Sequence, residues 1–264
     1  MIDLHCHVLP GIDDGPGTME GAVALARVAH ANGIRTLVAT PHVSPTHTNG
    51  AEDIARAVAA VSDVLTRADV PVRVAAGAEV ALGRAVDLDD DELAGLRLGG
   101  GPWLLLECPL SPVAAHLFPD AARHFASRGH RILLAHPERS PAFHADPVGR
   151  LGPLVAEGML AQVTAGAFTG RFGRRVQQVA LELLRAGLVH VVASDAHDAV
   201  GRPPSIAAEL AQAGAEAWAG WLAEDVPAAI LAGGPIPPAP AAATLPGPDE
   251  ERVPWWRRLG GRRP

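Results

Sequence analysis

Seven short apolar runs, each followed by a stretch with helical spacing, constrain this chain more than any other feature. The runs cover residues 2–8, 35–40, 72–76, 103–107, 132–135, 161–165 and 189–194. Each has strand length, and the segments between them carry apolar residues at helical spacing, as with Ile54, Val58, Val61 and Leu65. Strand–helix alternation of this kind predicts a parallel sheet covered by helices. Seven units in about 200 residues favour barrel-like closure over an open doubly wound sheet. Thr18 suits the N-cap of a helix reaching about Asn32, with Gly33 after its end. Further helices are predicted over 51–68, 113–127, 147–157 and 174–186, and weaker ones over 205–213 and 226–231. The acidic stretch 87–92 predicts a solvated turn or short helix.

The residues that close these runs carry the chemistry. The first holds His5 and His7, two apart, so both face the same side of a strand. The second is followed by His42, the third by Glu79, and the fourth ends in Glu107. The fifth leads into His136 and the seventh into Asp195 and His197. Six of the seven strand ends therefore bear a histidine or carboxylate, and in parallel barrels catalytic groups converge on that rim. A single H-x-H is as compatible with hydrogen-bonded core histidines as with a metal; the convergence favours the metal. Mixed histidine and carboxylate donors without thiolate suit Mn, Fe or Zn. So many donors exceed the needs of one ion and imply two or three, with Glu79 or Glu107 bridging. Such a centre can activate water and stabilise an in-line displacement, so hydrolysis of a phosphate ester is expected. Arg139, three residues after His136, and Arg202, in the loop after His197, could grip phosphate oxygens with their guanidinium forks. His30, His47, His116, His124, His130, His144 and His190 fall on helices, loops or strand starts and are read as structural.

Other classes recede. A net charge of −7 argues against a general affinity for nucleic acid. No Gly-rich phosphate loop follows any strand. The two cysteines imply no disulfide framework, which fits a cytoplasmic location. Cysteine phosphatase chemistry needs an arginine six residues after the nucleophile, but Cys6 has Ile12 there and Cys108 has Ala114. No secretory leader or transmembrane run is read. From residue 235 the chain becomes Pro/Ala-rich, so residues 1–234 are read as the folded barrel and 235–264 as a flexible linker and tail. That tail is basic and contains Trp255 and Trp256, which suits weak contact with an anionic membrane surface.

Taken together, the His5-Cys6-His7, Asp13-Asp14-Gly15, Thr40-Pro41-His42, Gly77-Ala78-Glu79, His136-Pro137-Glu138-Arg139 and Ser194-Asp195-Ala196-His197 motifs resemble the PHP (polymerase and histidinol phosphatase) superfamily. The closer resemblance is to its bacterial tyrosine-phosphatase branch, encoded with capsule and exopolysaccharide genes. Glu107 and the loop Gly170-Arg171-Phe172-Gly173 belong to the same likeness, which spans about residues 1–230. It implies a distorted (β/α)7 barrel with a trinuclear, usually manganese-dependent centre. By motif position the ligands would be His5, His7, Asp14, His42, Glu79, Glu107, His136, Asp195 and His197. The choice of Asp14 over Asp13 rests on the resemblance alone. Arg139 and Arg202 match the phosphate-binding arginines, and the implied partner is the phosphotyrosine-containing tail of a membrane-associated kinase of polysaccharide export. A small-molecule phosphatase, such as one for histidinol phosphate, and a non-catalytic kinase-binding regulator are the alternatives.

Overall fold

The computed structural model describes residues 1–240. The basic tail with Trp255 and Trp256 lies outside the described residues. Strands alternate with helices as β1 (Ile2–Cys6), β2 (Thr36–Ala39), β3 (His42–Val43), β4 (Arg73–Ala76), β5 (Glu79–Ala81), β6 (Trp103–Glu107), β7 (Arg131–Ala135), β8 (Leu160–Thr164) and β9 (Val191–Ala193). All neighbouring pairs are parallel. They form a three-stranded sheet in the order β1-β2-β4 and a six-stranded sheet in the order β3-β5-β6-β7-β8-β9.

The seven predicted strands appear as nine, divided between two sheets. The second and third apolar runs are each followed, after a two-residue interruption, by a short further strand. After β2 the chain passes through Thr40 and Pro41; Pro41 has no N–H for a ladder, although its carbonyl accepts from Glu79 N at 3.1 Å. After β4 it passes Gly77, where a Cβ would come within 3.0 Å of Leu98 and Val38, so a side chain there would force the packing apart. β3 and β5 then continue side by side, with His42 in register with Glu79. The first strand is bonded on both flanks. Thr40 N donates to Cys6 O at 2.9 Å, while Asp195 N donates to His5 O and His7 N donates to Ala196 O, both at 2.8 Å.

The helices follow local rules. In Met19–Ala31 the Thr18 hydroxyl accepts from Gly21 N at 3.2 Å, and Gly33 past its end takes φ +81°, a conformation that favours glycine. Ala51–Arg67 buries Ile54, Val61 and Leu65. The acidic stretch becomes a short helix, Asp90–Gly95, in which Asp89 and Glu92 cap each other. One expectation fails: 113–127 is not a single helix but Pro112–Ala115 followed by Phe118–Ser127. Pro119 lacks the N–H that would bond back to residue 115. The core is continuous and includes fully buried Phe118, Phe125 and Phe143; each such side chain contributes about 1.5–3 kcal/mol by burial. Packing persists through Pro237, whose carbonyl accepts from Trp221 Nε1 at 3.1 Å. Among the described residues no helix is long and apolar enough to cross a membrane.

Candidate metal centre

Alternation along β1 turns Leu4 and Cys6 away from His5 and His7, and the two imidazoles meet with Nε2 atoms 3.2 Å apart. Both rings are fully buried. Glu79, at the start of β5, reaches between them. Its Oε2 lies 3.3 Å from His5 Nε2, 3.5 Å from His7 Nε2 and 3.1 Å from His42 Nδ1. Its Oε1 lies 2.6 Å from His136 Nε2. Asp195 approaches from the end of β9, with Oδ1 3.4 Å from His7 Nε2 and 3.6 Å from His5 Nε2. Asp14 is half-exposed in the loop after β1, yet its Oδ1 lies 3.1 Å from His197 Nε2 and 3.5 Å from His42 Nε2. Glu107 joins a group with His42 and Glu79.

All nine residues named from the sequence as ligands thus fall into overlapping groups whose donor atoms lie within 4.8 Å of one another. Two ligands of one ion, each about 2.1 Å from it, sit roughly 3–3.5 Å apart in tetrahedral or octahedral geometry. Most of the spacings, from 3.1 to 3.6 Å, match that, whereas His136 and Glu79 at 2.6 Å stand at direct hydrogen-bond distance; the donor set as a whole fits divalent ions. The seven histidines read as structural stay outside these groups.

The backbone is specialised at the same place. His136 and Asp195 are non-glycine residues with φ of 37° and 51°, a left-handed conformation costing about 1–3 kcal/mol each. Surrounding bonds hold them: His136 N donates to Gln162 O at 2.9 Å, and Asp195 N donates to His5 O. Beside Asp195, the buried Asp3 carboxylate accepts from Ser194 N at 3.0 Å and from Ser194 Oγ at 2.5 Å, tying β1 to the end of β9.

Charge is balanced within the cluster. Burial opposes ionisation of Glu79, but the His5 and His136 charges and the His136 hydrogen bond outweigh it and hold the carboxyl well below its usual range. For Glu107 the balance is reversed: burial and the Glu79 charge outweigh the His5 and Arg139 charges and push it up to about 8. Burial likewise disfavours charge on His7, yet its bonds to Asp13, Asp195 and Glu79 lift it well above the usual histidine value. Burial drives His197 down to about 4, with the His7 charge adding to it. Cys6 and Cys108 are fully buried and burial raises both thiols, as expected of core residues rather than nucleophiles.

The two arginines named from the sequence converge on one carboxylate. Arg139 Nη1 donates to Asp195 Oδ2 at 2.6 Å, and Arg202 Nη2 lies 2.8 Å from the same oxygen. Arg202 also donates to Asp195 O at 3.1 Å. The Arg139 guanidinium stands 4.6 Å from the ring centroid of Phe172, a contact that orients it.

Several supporting residues were missed in the sequence. The sixth apolar run offered no ligand, but Gln162 on β8 places Oε1 2.9 Å from His5 Nδ1. Its signal was a polar residue inside an otherwise apolar strand. Asp13, passed over in favour of Asp14, places Oδ2 2.7 Å from His7 Nδ1 and accepts from His42 N at 3.0 Å. Glu138 is fully buried, and its Oε1 accepts from Thr164 N at 3.0 Å.

Fold and site together define an α/β protein with parallel sheets and a histidine–carboxylate cluster able to hold metal ions. Residues 1–217 match the family described as Capsular polysaccharide synthesis, CpsB/CapC, and the chain belongs to that family. It is 36% identical over 206 residues to the tyrosine-protein phosphatase YwqE of Bacillus subtilis, covering 75% of this chain and 78% of that one. It is 27% identical over 212 residues to the putative tyrosine-protein phosphatase CapC of Staphylococcus aureus, covering 77% and 79%. A crystal structure from work on YwqE of B. subtilis and CpsB of Streptococcus pneumoniae, described there as unique metal-dependent tyrosine phosphatases, superposes with a TM-score of 0.76. It shares 31% identity and covers 92% of this chain and 100% of that one.

Proposed function

We propose that this protein is a metal-dependent protein-tyrosine phosphatase that acts on a bacterial tyrosine kinase of polysaccharide export. The observation that carries this reading is the convergence of nine histidine and carboxylate donors beside two arginines that meet at Asp195. The family and the names of its phosphatase relatives supply the substrate class. The ligands in this reading are His5, His7, Asp14, His42, Glu79, Glu107, His136, Asp195 and His197. Glu79 would be the carboxylate shared between ions, because its two oxygens together face four histidines. Mn(II) is the proposed ion, as two or three per chain.

Bound divalent ions supply Lewis acidity, and they lower the pKa of water so that a nucleophile is available near neutral pH. The protein's residues do the rest. Arg139 and Arg202 bind the phosphoryl oxygens and orient phosphorus toward the donor cluster. Asp195 holds both guanidinium groups ready at the rim, and Phe172 fixes the plane of Arg139. The departing phenolate is a good leaving group, which lessens the demand on a general acid.

The same reading completes the architecture. β2 with β3, and β4 with β5, act as the two halves of interrupted strands, which gives seven positions around a distorted (β/α)7 barrel. The bonds from His5 O and His7 N to residues 195–196 support closure between β1 and β9. Residues 1–234 form this catalytic unit, with Ile236 and Pro237 of the following segment still packed on it, and the protein works in the cytoplasm.

The test is Mn(II)-dependent phosphate release from a phosphotyrosine peptide, beside His136→Ala and with histidinol phosphate as a competing substrate. Turnover of the peptide that needs both Mn(II) and His136 is expected. Preference for histidinol phosphate would replace the substrate assignment. Inertness of the metal-loaded protein toward every phosphoester would overturn the enzymatic one.

A further inference from the structure

His5 on β1 and His7 just after it are held from outside the donor cluster by partners of different charge. His7 Nδ1 lies 2.7 Å from Asp13 Oδ2, and His5 Nδ1 lies 2.9 Å from Gln162 Oε1. A carboxylate can only accept, so His7 donates from Nδ1, and in the neutral ring that binds a metal the lone pair is then on Nε2. An amide oxygen places the same demand on His5. In both rings the free Nε2 is the atom that faces Glu79 and Asp195.

Each partner also anchors a second member of the cluster. Asp13 Oδ2 accepts from His42 N at 3.0 Å, and its Oδ1 accepts from Gly15 N at 3.0 Å. Two backbone donors therefore hold the Asp13 carboxylate still. Gln162 accepts from His136 N through its own carbonyl at 2.9 Å. Asp13 thus links β1 to the start of β3, and Gln162 links β1 to the end of β7. Both links place a side chain and a neighbouring main chain in one step.

We propose that Asp13 and Gln162 are the positioning residues that fix which nitrogen His7 and His5 present. We propose further that the difference between a carboxylate and a neutral amide makes His7 the stronger donor of the pair. A carboxylate behind an imidazole draws the Nδ1 proton toward itself and enriches Nε2 in electron density; an amide oxygen does so more weakly. Adjacent carboxylates in one loop therefore divide the work. Asp14 faces His42 and His197, whereas Asp13 stands behind His7. The inference rests on the metal reading but not on the choice of phosphotyrosine as substrate.

The test uses Asp13→Asn, Gln162→Leu and Gln162→Glu in the full chain, with circular dichroism to confirm folding. Mn(II) affinity is measured by titration calorimetry. In the Zn(II)-loaded protein, proton NMR reads the Nδ1–H signals of His5 and His7, assigned by ring-nitrogen labelling. Asp13→Asn is expected to lower Mn(II) affinity about 10–100-fold, the usual effect of losing an outer partner of a metal-bound histidine. It should move only the His7 proton upfield. Gln162→Leu should remove the protected His5 signal and spare that of His7. Gln162→Glu should carry the His5 proton downfield toward the His7 position, a change that a merely structural role would not produce. Unchanged Mn(II) affinity in folded Asp13→Asn, or equal movement of both signals in any variant, would overturn the proposal. If Asp13→Asn fails to fold, an unmoved His5 proton in Gln162→Glu overturns it instead. A wild-type protein that binds no Mn(II) would overturn the metal reading as well, whereas poor peptide turnover with intact Mn(II) binding would count only against the substrate.

Discussion

Removal of one guanidinium tests the proposed phosphate grip most directly. Arg139→Ala deletes a group that is 17% exposed, bonded at 2.6 Å to Asp195 and stacked at 4.6 Å on Phe172. A hydrogen bond to a charged partner contributes about 1.5–3 kcal/mol, and a bidentate grip on phosphate lies toward the upper end. Loss of Arg139 should therefore lower kcat/KM by about 2–3 kcal/mol, or roughly 30–150-fold. Arg202 is more exposed, at 31%, and lacks a ring beneath it; Arg202→Ala should cost nearer 1.5–2 kcal/mol, about 10–30-fold. Arg139→Lys keeps the charge but loses the fork, and should fall between wild type and Arg139→Ala. Because both arginines share Asp195 Oδ2, the double variant should not equal the sum of the singles. The assay is phosphate release from a phosphotyrosine peptide across a range of concentrations, with Mn(II) content measured on each protein. An Arg139→Ala enzyme within threefold of wild type, with normal metal content, would refute the assignment.

Three other outcomes are expected. His136→Ala should abolish metal-dependent phosphate release and reduce bound Mn(II) per chain, because it removes a donor 2.6 Å from Glu79; metal analysis by mass spectrometry checks this. Burial pushes His190 down to about 4, against 6.5 when unfolded. The unfolded chain takes up this proton first as pH falls, so the stability from keeping His190 neutral is complete above about pH 6.5 and is lost progressively toward pH 4. Between pH 7 and pH 5 the loss is about 2 kcal/mol, and it should be absent in His190→Gln when urea midpoints are compared. Phe118→Ala empties a fully buried site whose ring meets Phe143 edge-on at 6.3 Å. It should cost about 3–5 kcal/mol of unfolding free energy, measured by urea denaturation.

Much of the fold is legible in the sequence, because most strands, such as β6 and β8, bury both faces and so read as apolar runs. β6, β7 and β8 fall within a residue of their predicted limits for that reason. β3 and β5 escaped notice because two- and three-residue strands have no period to detect. Their existence depends on register: His42 pairs with Glu79, and neither residue looks like a strand former alone. The split helix at 112–127 shows the opposite case. Pro119 lies inside that span, and the apolar spacing that runs across it does not restore the hydrogen bond it removes.

Eight of the nine donors were legible because they close or directly follow parallel strands, whose C-terminal ends converge on one rim; Asp14, in a loop, was not among them. The supports of these donors were not legible, since a supporting residue is defined by what it touches. Asp13 and Asp14 show where pattern reasoning stops. Adjacent carboxylates in a loop have no period to separate them, and only motif position favoured Asp14. The structure separates them by hydrogen-bond supply. Gly15 N, His42 N and His7 Nδ1 all converge on Asp13, leaving its oxygens engaged and the residue partly enclosed. Asp14 has no backbone donor of that kind and stays 55% exposed, with Oδ1 facing His42 and His197. A carboxylate whose oxygens are saturated by fixed donors is suited to orienting a neighbour, and one with free lone pairs is suited to binding an ion. The division of labour therefore follows from counting donors, which requires the loop's folded path and cannot be had from its composition.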